Sequence, residues 1–303
     1  MKSMVPNYYV SKMRDIMTEP RSQKFSMRDN SSIHALITSG SIFEKPETLL
    51  CLSGFGCSHY NFLELAKDLG HHYQMVLIDN RGMGLSDDAK EEYLLEDLAK
   101  DALEVMDQLG VESFHLAGTS MGGFVSQLVA LNAPARVKSL SLLCTTSGGD
   151  RYIPLPELTE QSLELFYQIP EPKRTEVAIE ATVYPGLKEE SPEDFERICT
   201  LRRAHPVRVD QVLRQKRAVD KFLNEVILVE NIHCPTFILS GDSDRFVSPK
   251  NSKTLNSKIP NSSLFFIEKS DHLFFLEKPK EVAAIMKSCL ESLSLSQNSG
   301  ASL

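Results

Sequence analysis

The sequence predicts an α/β fold: a mostly parallel central sheet flanked by helices, with an inserted, mainly helical cap. Three observations predict it. From about residue 24, short apolar runs alternate with stretches of helical period. Several of those runs, residues 48–52 among them, are almost continuously apolar, as strands buried on both faces are. The alternation stops near residue 148 and resumes at Thr236. These breaks set the expected organisation: an arm over 1–23, a core over 24–147 and 231–292, a helical cap over 148–230, and a disordered tail over 293–303.

The elements follow in order. Residues 1–23 are polar without a strong period and read as a short helix or a loose arm. Residues 24–28 and 33–38 read as an antiparallel strand pair joined by Asp29-Asn30-Ser31, a turn composition. Strands are expected at 48–52 and 73–78, with a helix over 61–69 between them. Over 92–109, Leu94, Leu95, Leu98, Ala102, Leu103, Val105, Met106 and Leu109 form a helical stripe. A strand at 114–117, a helix at 121–131 and a strand at 137–143 complete this half. Residues 148–230 are polar, broken by prolines and mostly helical in period. An insertion after one strand, at the edge where loops gather, reads as a lid or cap. The Ser-rich stretch from Leu293 is expected to lack structure. No internal repeat is evident.

Composition excludes several functions. Of the 303 residues, 42% are hydrophobic and 24% charged, the balance of a soluble globular protein. The net charge of -8 argues against nucleic-acid binding, which needs a basic surface to meet phosphates. Cys51, Cys57, Cys144, Cys199, Cys234 and Cys289 show no C-x-x-C pair and no Cys/His ligand spacing, so no metal is expected. They read as reduced core thiols of an intracellular, cytoplasmic protein. No unbroken apolar stretch follows Lys2, so neither a signal peptide nor a membrane span is expected. The chain has no Trp, so a substrate pocket must use Phe, Tyr, Leu and Met.

The chemistry starts at Gly118-Thr119-Ser120-Met121-Gly122, a G-x-S-x-G run between an apolar strand and an apolar helix. A serine hydroxyl is a weak nucleophile until a base removes its proton. A sharp strand-to-helix turn would present Ser120 at its tip, and Gly118 and Gly122 carry no side chain to collide across that turn. Gly123 would allow close packing at the helix start. His272 is the candidate base, since it lies in a loop between the strand at 264–267 and an apolar helix. The acid follows the strand ending at Leu239. Asp244 is favoured over Asp242 because it lies further along a loop that can bend toward His272. Asp242 then becomes a turn residue, and Asp271 is a poor orienter because adjacent side chains point apart. An oxyanion needs two backbone donors. Met121, just after the serine, is one. Phe55, in the Gly-containing loop 53–58, is the other. The loop Asp79-Asn80-Arg81-Gly82-Met83-Gly84-Leu85-Ser86 lacks G-K-[ST] and reads as structural, with Arg81 tying acidic neighbours together.

Substrate contacts are expected from Phe124, Phe246, Val247 and Leu273, and from some of Phe166, Tyr167 and Tyr184. Two runs, 201–208 and 213–217, concentrate positive charge in an acidic chain. Either an arginine among Arg202, Arg203, Arg208 and Arg214 faces the pocket and pairs with a substrate carboxylate, or these residues form a solvated face with Asp210 and Asp220 as partners.

Together these residues resemble the α/β-hydrolase superfamily, over residues 24–292. The nucleophile elbow matches 118–122, the acid motif matches Gly241, Asp244 and Pro249, and the histidine motif matches His272, Glu277 and Pro279. The D-x-R-G-x-G-x-S loop matches 79–86. The oxyanion loop, which usually begins His-Gly, here begins Ser53-Gly54. The resemblance implies a helical-capped serine hydrolase of the branch that includes esterases, enol-lactonases, carbon–carbon bond hydrolases and haloperoxidase-like enzymes. It implies no cofactor, and a small-molecule substrate plus water as partners. The expected reaction is hydrolysis of a small ester, lactone or related acyl compound through an acyl-serine. Acyl transfer, carbon–carbon cleavage or a non-catalytic receptor use of the fold are the alternatives.

Overall fold

A computed structural model describes residues 20–40, 45–149 and 152–299. Eight strands form one sheet in the order β1-β2-β4-β3-β5-β6-β7-β8. They are β1 (Arg21–Ser26), β2 (Ser32–Ile37), β3 (Thr48–Leu52), β4 (Gln74–Ile78), β5 (Phe114–Thr119), β6 (Val137–Leu143), β7 (Thr236–Gly241) and β8 (Ser262–Ile267). β1 pairs antiparallel with β2, and β2 antiparallel with β4. From β4 through β8 every pair is parallel.

The central strands are apolar without alternation because each face meets helices. Leu50 and Leu52 pack with α2 (Leu95–Gln108) and α3 (Met121–Asn132) on one side. Their neighbours Leu49 and Cys51 pack with α1 (Leu63–Leu69) and α11 (Pro279–Ser299) on the other. Every described cysteine is a free thiol, and all but the half-buried Cys234 are buried. No helix among the described residues is long and apolar enough to cross a membrane.

Between β6 and β7 lie α4 (Glu160–Gln168), α5 (Lys173–Glu180), the single turn α6 (Leu187–Glu190), α7 (Pro192–Arg203) and α8 (Val209–Leu223). After β7 come α9 (Pro249–Lys258) and, after β8, the short α10 (Phe274–Glu277). The insertion is tied to the core by buried glutamines. Gln211 on α8 accepts from the Ala89 amide at 2.9 Å, and Gln215, one turn later, accepts from the Gly56 amide at 2.7 Å.

The structure corrects two boundaries. Strand β1 starts at Arg21, so it takes in the last residues assigned to the arm; residues 1–19 lie outside the described residues. The tail expected to be disordered from 293 is helical to Ser299, and 300–303 lie outside the described residues. No Gly or Pro interrupts α11 after Pro279 until Gly300, and serine alone does not stop a helix already anchored by buried Val282, Met286 and Leu290.

The 79–86 loop is structural, as its sequence suggests. Arg81 makes a two-pronged contact with Asp101, at 2.8 and 2.7 Å, and reaches Asp29 at 3.2 Å. Buried Asp79 accepts from the Nδ1 atoms of His34 and His59, from the His59 amide, and from the Leu85 amide. Burial alone would raise the Asp79 pKa, but these two imidazoles hold it well below the usual carboxylate range. Gly84 sits so close that a Cβ there would lie 2.2 Å from the Asp79 carboxylate.

Candidate active site

Ser120 stands at the turn from β5 into α3 with φ 52° and ψ -118°, a conformation that side chains avoid. Neighbouring backbone holds it there. The Ser120 amide donates to Leu143 O at 2.8 Å, and its carbonyl accepts from the Gly123 amide and the Thr145 hydroxyl, both at 2.8 Å. The glycines are required sterically. A Cβ at Gly122 would lie 1.9 Å from Leu52 O, and one at Gly118 would lie 2.2 Å from Gly122 O. At Gly123 it would strike Thr145 at 2.5 Å.

His272 and Asp244 meet from separate loops. The His272 Nδ1 lies 3.0 Å from Asp244 Oδ2, with both side chains buried. The other oxygen of Asp244 accepts from the amides of Phe246 at 2.9 Å and Val247 at 2.7 Å, which fixes the carboxylate's orientation. Asp242 is exposed and accepts from the Ser243 hydroxyl at 2.8 Å and from the Ser270 amide at 3.4 Å, not from His272. Asp271 is buried but turned away from the imidazole. It accepts from the amides of Arg245 and His272, each at 2.8 Å, and pairs with the Arg245 guanidinium.

Beneath the histidine loop sits Glu277. Its carboxylate accepts from the Asp271 amide at 3.0 Å and from the Tyr184 amide in the insertion, also at 3.0 Å. Burial pushes its pKa up to about 7, although the two amides oppose the shift.

The loop after β3 is held from both ends. Asn61 accepts from the Gly54 amide at 3.0 Å, and Gln215 from the Gly56 amide at 2.7 Å. The Phe55 amide between them donates to no described group, and Met121, as the first helical residue, has no acceptor within α3. Gly56 has φ +61°, which lets the loop fold back over the site.

Two cavities flank Ser120 and share Phe55, Leu158 and Phe246 as walls. One, of about 380 Å³, is lined by Met121, Phe124 and residues of α8. The other, of about 320 Å³, holds His272, Leu273, Phe166 and Arg202. The predicted contacts Phe124, Phe246 and Leu273 therefore line the site, as does Phe166. Val247 does not: it is fully buried, and its amide serves Asp244. Tyr167 and Tyr184 line neither cavity; Tyr167 packs against Leu163 and Val212. Sequence reasoning missed Asn61 and Gln215 as supporting groups, and named Glu277 only as a member of the histidine motif, with no role. Gln211 and Gln215 did carry a signal, two polar residues one turn apart on the otherwise apolar stripe of α8.

The profile of the alpha/beta hydrolase fold matches residues 47–279. The chain belongs to the α/β-hydrolase fold family. It is 26% identical to 2-hydroxy-6-oxononadienedioate/2-hydroxy-6-oxononatrienedioate hydrolase 2 of Pseudomonas putida, over 84% of this chain and 92% of that protein. It is 25% identical to a poly(3-hydroxyalkanoate) depolymerase of Ectopseudomonas oleovorans, over 87% and 90%. Among solved structures, a thermophilic esterase from Thermogutta terrifontis superposes with a TM-score of 0.76 at 20% identity, covering 90% of this chain and 99% of the esterase. In this hydrolase-fold chain the elbow, the acid loop and the histidine loop all stand at the carboxyl ends of parallel strands, facing the insertion.

Proposed function

We propose that the chain is a serine hydrolase that cleaves a small-molecule ester, lactone or related acyl compound through an acyl-Ser120 intermediate. The observation that carries this reading is the placement of a strained serine and a buried His272–Asp244 pair on the walls of one cavity. With Asp244 accepting from Nδ1–H, the His272 Nε2 holds the lone pair and can take the serine proton. The serine oxygen then attacks the carbonyl carbon, and the electron pair moves onto the carbonyl oxygen. The Phe55 and Met121 amides are placed to receive that charge. His272 returns the proton to the leaving group, then activates water to release the acid. Asp244 holds the imidazole's tautomer throughout. The insertion acts as the cap that closes the cavities and keeps bulk water out.

The named relatives agree in hydrolysis and differ in substrate, so they support the reaction class and leave selectivity to the cavity walls. A fluorophosphonate probe tests the mechanism. Rapid labelling of Ser120, lost in His272→Ala, is expected, since only an activated serine reacts quickly. An unlabelled wild-type protein that also fails to hydrolyse short esters overturns the reading.

A further inference from the structure

The arginines of the insertion separate into two groups. Arg203 pairs with Glu196, Arg208 with Asp88 and Asp210, Arg214 with Glu92, and Arg217 with Glu92 and Glu160. Arg202 has no such partner among the described residues. It stands in the last turn of α7, on the wall of the cavity that also holds Ser120 and His272. Its polar contacts among the described residues are made by Nη1 alone, to the Tyr60 hydroxyl at 2.9 Å and to the Cys57 sulfur at 3.7 Å.

The Tyr60 contact does not cancel the charge. Burial raises the Tyr60 pKa far above the ordinary phenol range, so its hydroxyl stays neutral and donates to Cys57 Sγ at 3.0 Å. Nε and Nη2 are left as a planar pair of donors. The surrounding walls, Leu158, Leu163, Phe166, Ile179, Leu273 and Phe275, are apolar. Arg202 is half-buried, and Nε and Nη2 remain accessible with no carboxylate partner among the described residues. The insertion's other described arginines, by contrast, are paired with carboxylates, exposed ones such as Arg208 included.

We propose that Arg202 is an anion-binding subsite of the reaction cavity, which takes a substrate with an apolar body and a free carboxylate set away from the scissile carbonyl. This deepens the serine hydrolase reading and rests on it for the cleavage step. The fork of Nε and Nη2 matches the two oxygens of a carboxylate. A single cation among apolar walls suits a monoanion. A phosphate dianion would need further donors, and this cavity offers no second cationic side chain.

The test compares p-nitrophenyl hemiesters of linear dicarboxylic acids, succinic to suberic, with p-nitrophenyl esters of the monocarboxylic acids of equal length. A second series carries the carboxylate on the alcohol half. In wild type, one acidic series is expected to exceed its neutral counterpart in kcat/KM. Arg202→Met is expected to lower that acid-to-neutral ratio roughly 10- to 150-fold, the range for a charged hydrogen bond. Arg202→Lys, which keeps the charge and loses the fork, should fall between. Arg203→Ala should leave the ratio unchanged. Calorimetric binding of the same hemiesters to Ser120→Ala gives a readout that needs no turnover, and the same loss is expected there on adding Arg202→Met. A ratio and a binding constant that Arg202→Met leaves unchanged in both series overturn the subsite. If Ser120 proves unreactive while hemiester binding still depends on Arg202, the subsite stands and the hydrolytic reading falls.

Discussion

The two sides of the cavity are built on different principles. On the sheet side, backbone approaches backbone so closely that Gly118 and Gly122 cannot accept even one added carbon. On the insertion side, the walls are ordinary side chains such as Leu158, Leu163 and Phe166, packed against one another and open to exchange. The first kind of construction fixes where a reacting atom can sit. The second decides what is attached to that atom. On the proposed function, reaction class and substrate choice are therefore carried mainly by different parts of the chain, and substitutions should separate them.

The largest separation is expected at Ser120→Ala. Turnover should fall on the order of 10⁴- to 10⁶-fold, as when triad serines are removed, with the melting transition retained. A variant that keeps near wild-type kcat would break the contrast at its root. Next comes the acid. Asp244→Asn should cost roughly 10²- to 10⁴-fold in kcat, because the imidazole loses its tautomer, while exposed Asp242→Asn should stay within about threefold. Equal losses at the two positions would show that the 3.0 Å contact to His272 does not orient the ring.

A smaller effect is expected at the junction of the two sides. Gln215 belongs to the insertion but holds the Gly56 amide of the loop after β3, the proposed oxyanion loop. Gln215→Met should lower kcat about tenfold with little change in KM, less than the 10²- to 10³-fold cost of deleting an oxyanion donor outright. A pure KM effect would assign Gln215 to substrate binding instead. Phe166→Ala, by contrast, should move the acyl-length optimum by a few-fold in kcat/KM. Because Phe166 is only half-buried, stability should shift by about 1 kcal/mol or less. Turnover lost uniformly across chain lengths would argue against a selectivity wall there.

The smallest effect on turnover concerns Glu277. Its folded-state pKa of about 7 lies above the ordinary 4.5. Between those values the folded chain keeps a proton that the unfolded chain has released. The stability this group contributes is thus fully present below about pH 4.5 and is lost as pH rises through 7. Denaturant unfolding at acid and mildly alkaline pH should show a decline, of order 1–3 kcal/mol, that Glu277→Gln lacks. Parallel pH curves for the two proteins would remove Glu277 as its source.

The fold and the residues that meet in the candidate site were legible in the sequence, and for the same reason. Strands buried on both faces read as continuous apolar runs, as at Thr48–Leu52, and the elbow needs glycines at fixed offsets from Ser120. Asp244 could be preferred over Asp242 because loop reach is partly set by distance from the strand end. What could not be read was contact between distant segments. Val247 looked like a pocket residue because an apolar side chain in a catalytic loop gives no sign of its direction, and it points into the core. Arg202 stood in a run of similar arginines. Only the surroundings of each guanidinium distinguish it, and those come from residues about 140 positions away, at Cys57 and Tyr60. The end of α11 was misplaced because a serine-rich composition was read as a stop, whereas a helix ends where a backbone requirement ends it.

The insertion leaves the sheet after Leu143 and returns at Thr236, yet β6 and β7 are direct hydrogen-bonded neighbours, Leu140 opposite Thr236 and Leu143 opposite Leu239. Its two ends are therefore brought together by strand pairing that the insertion itself does not make. The closure cost of such an excursion grows only with the logarithm of its length. A segment attached in this way can be lengthened, shortened or grafted from another chain without altering a single strand register. Evolution, or a designer, can change the insertion while the strand pairing below it stays in place, provided that the Gln215–Gly56 and Tyr184–Glu277 contacts are kept.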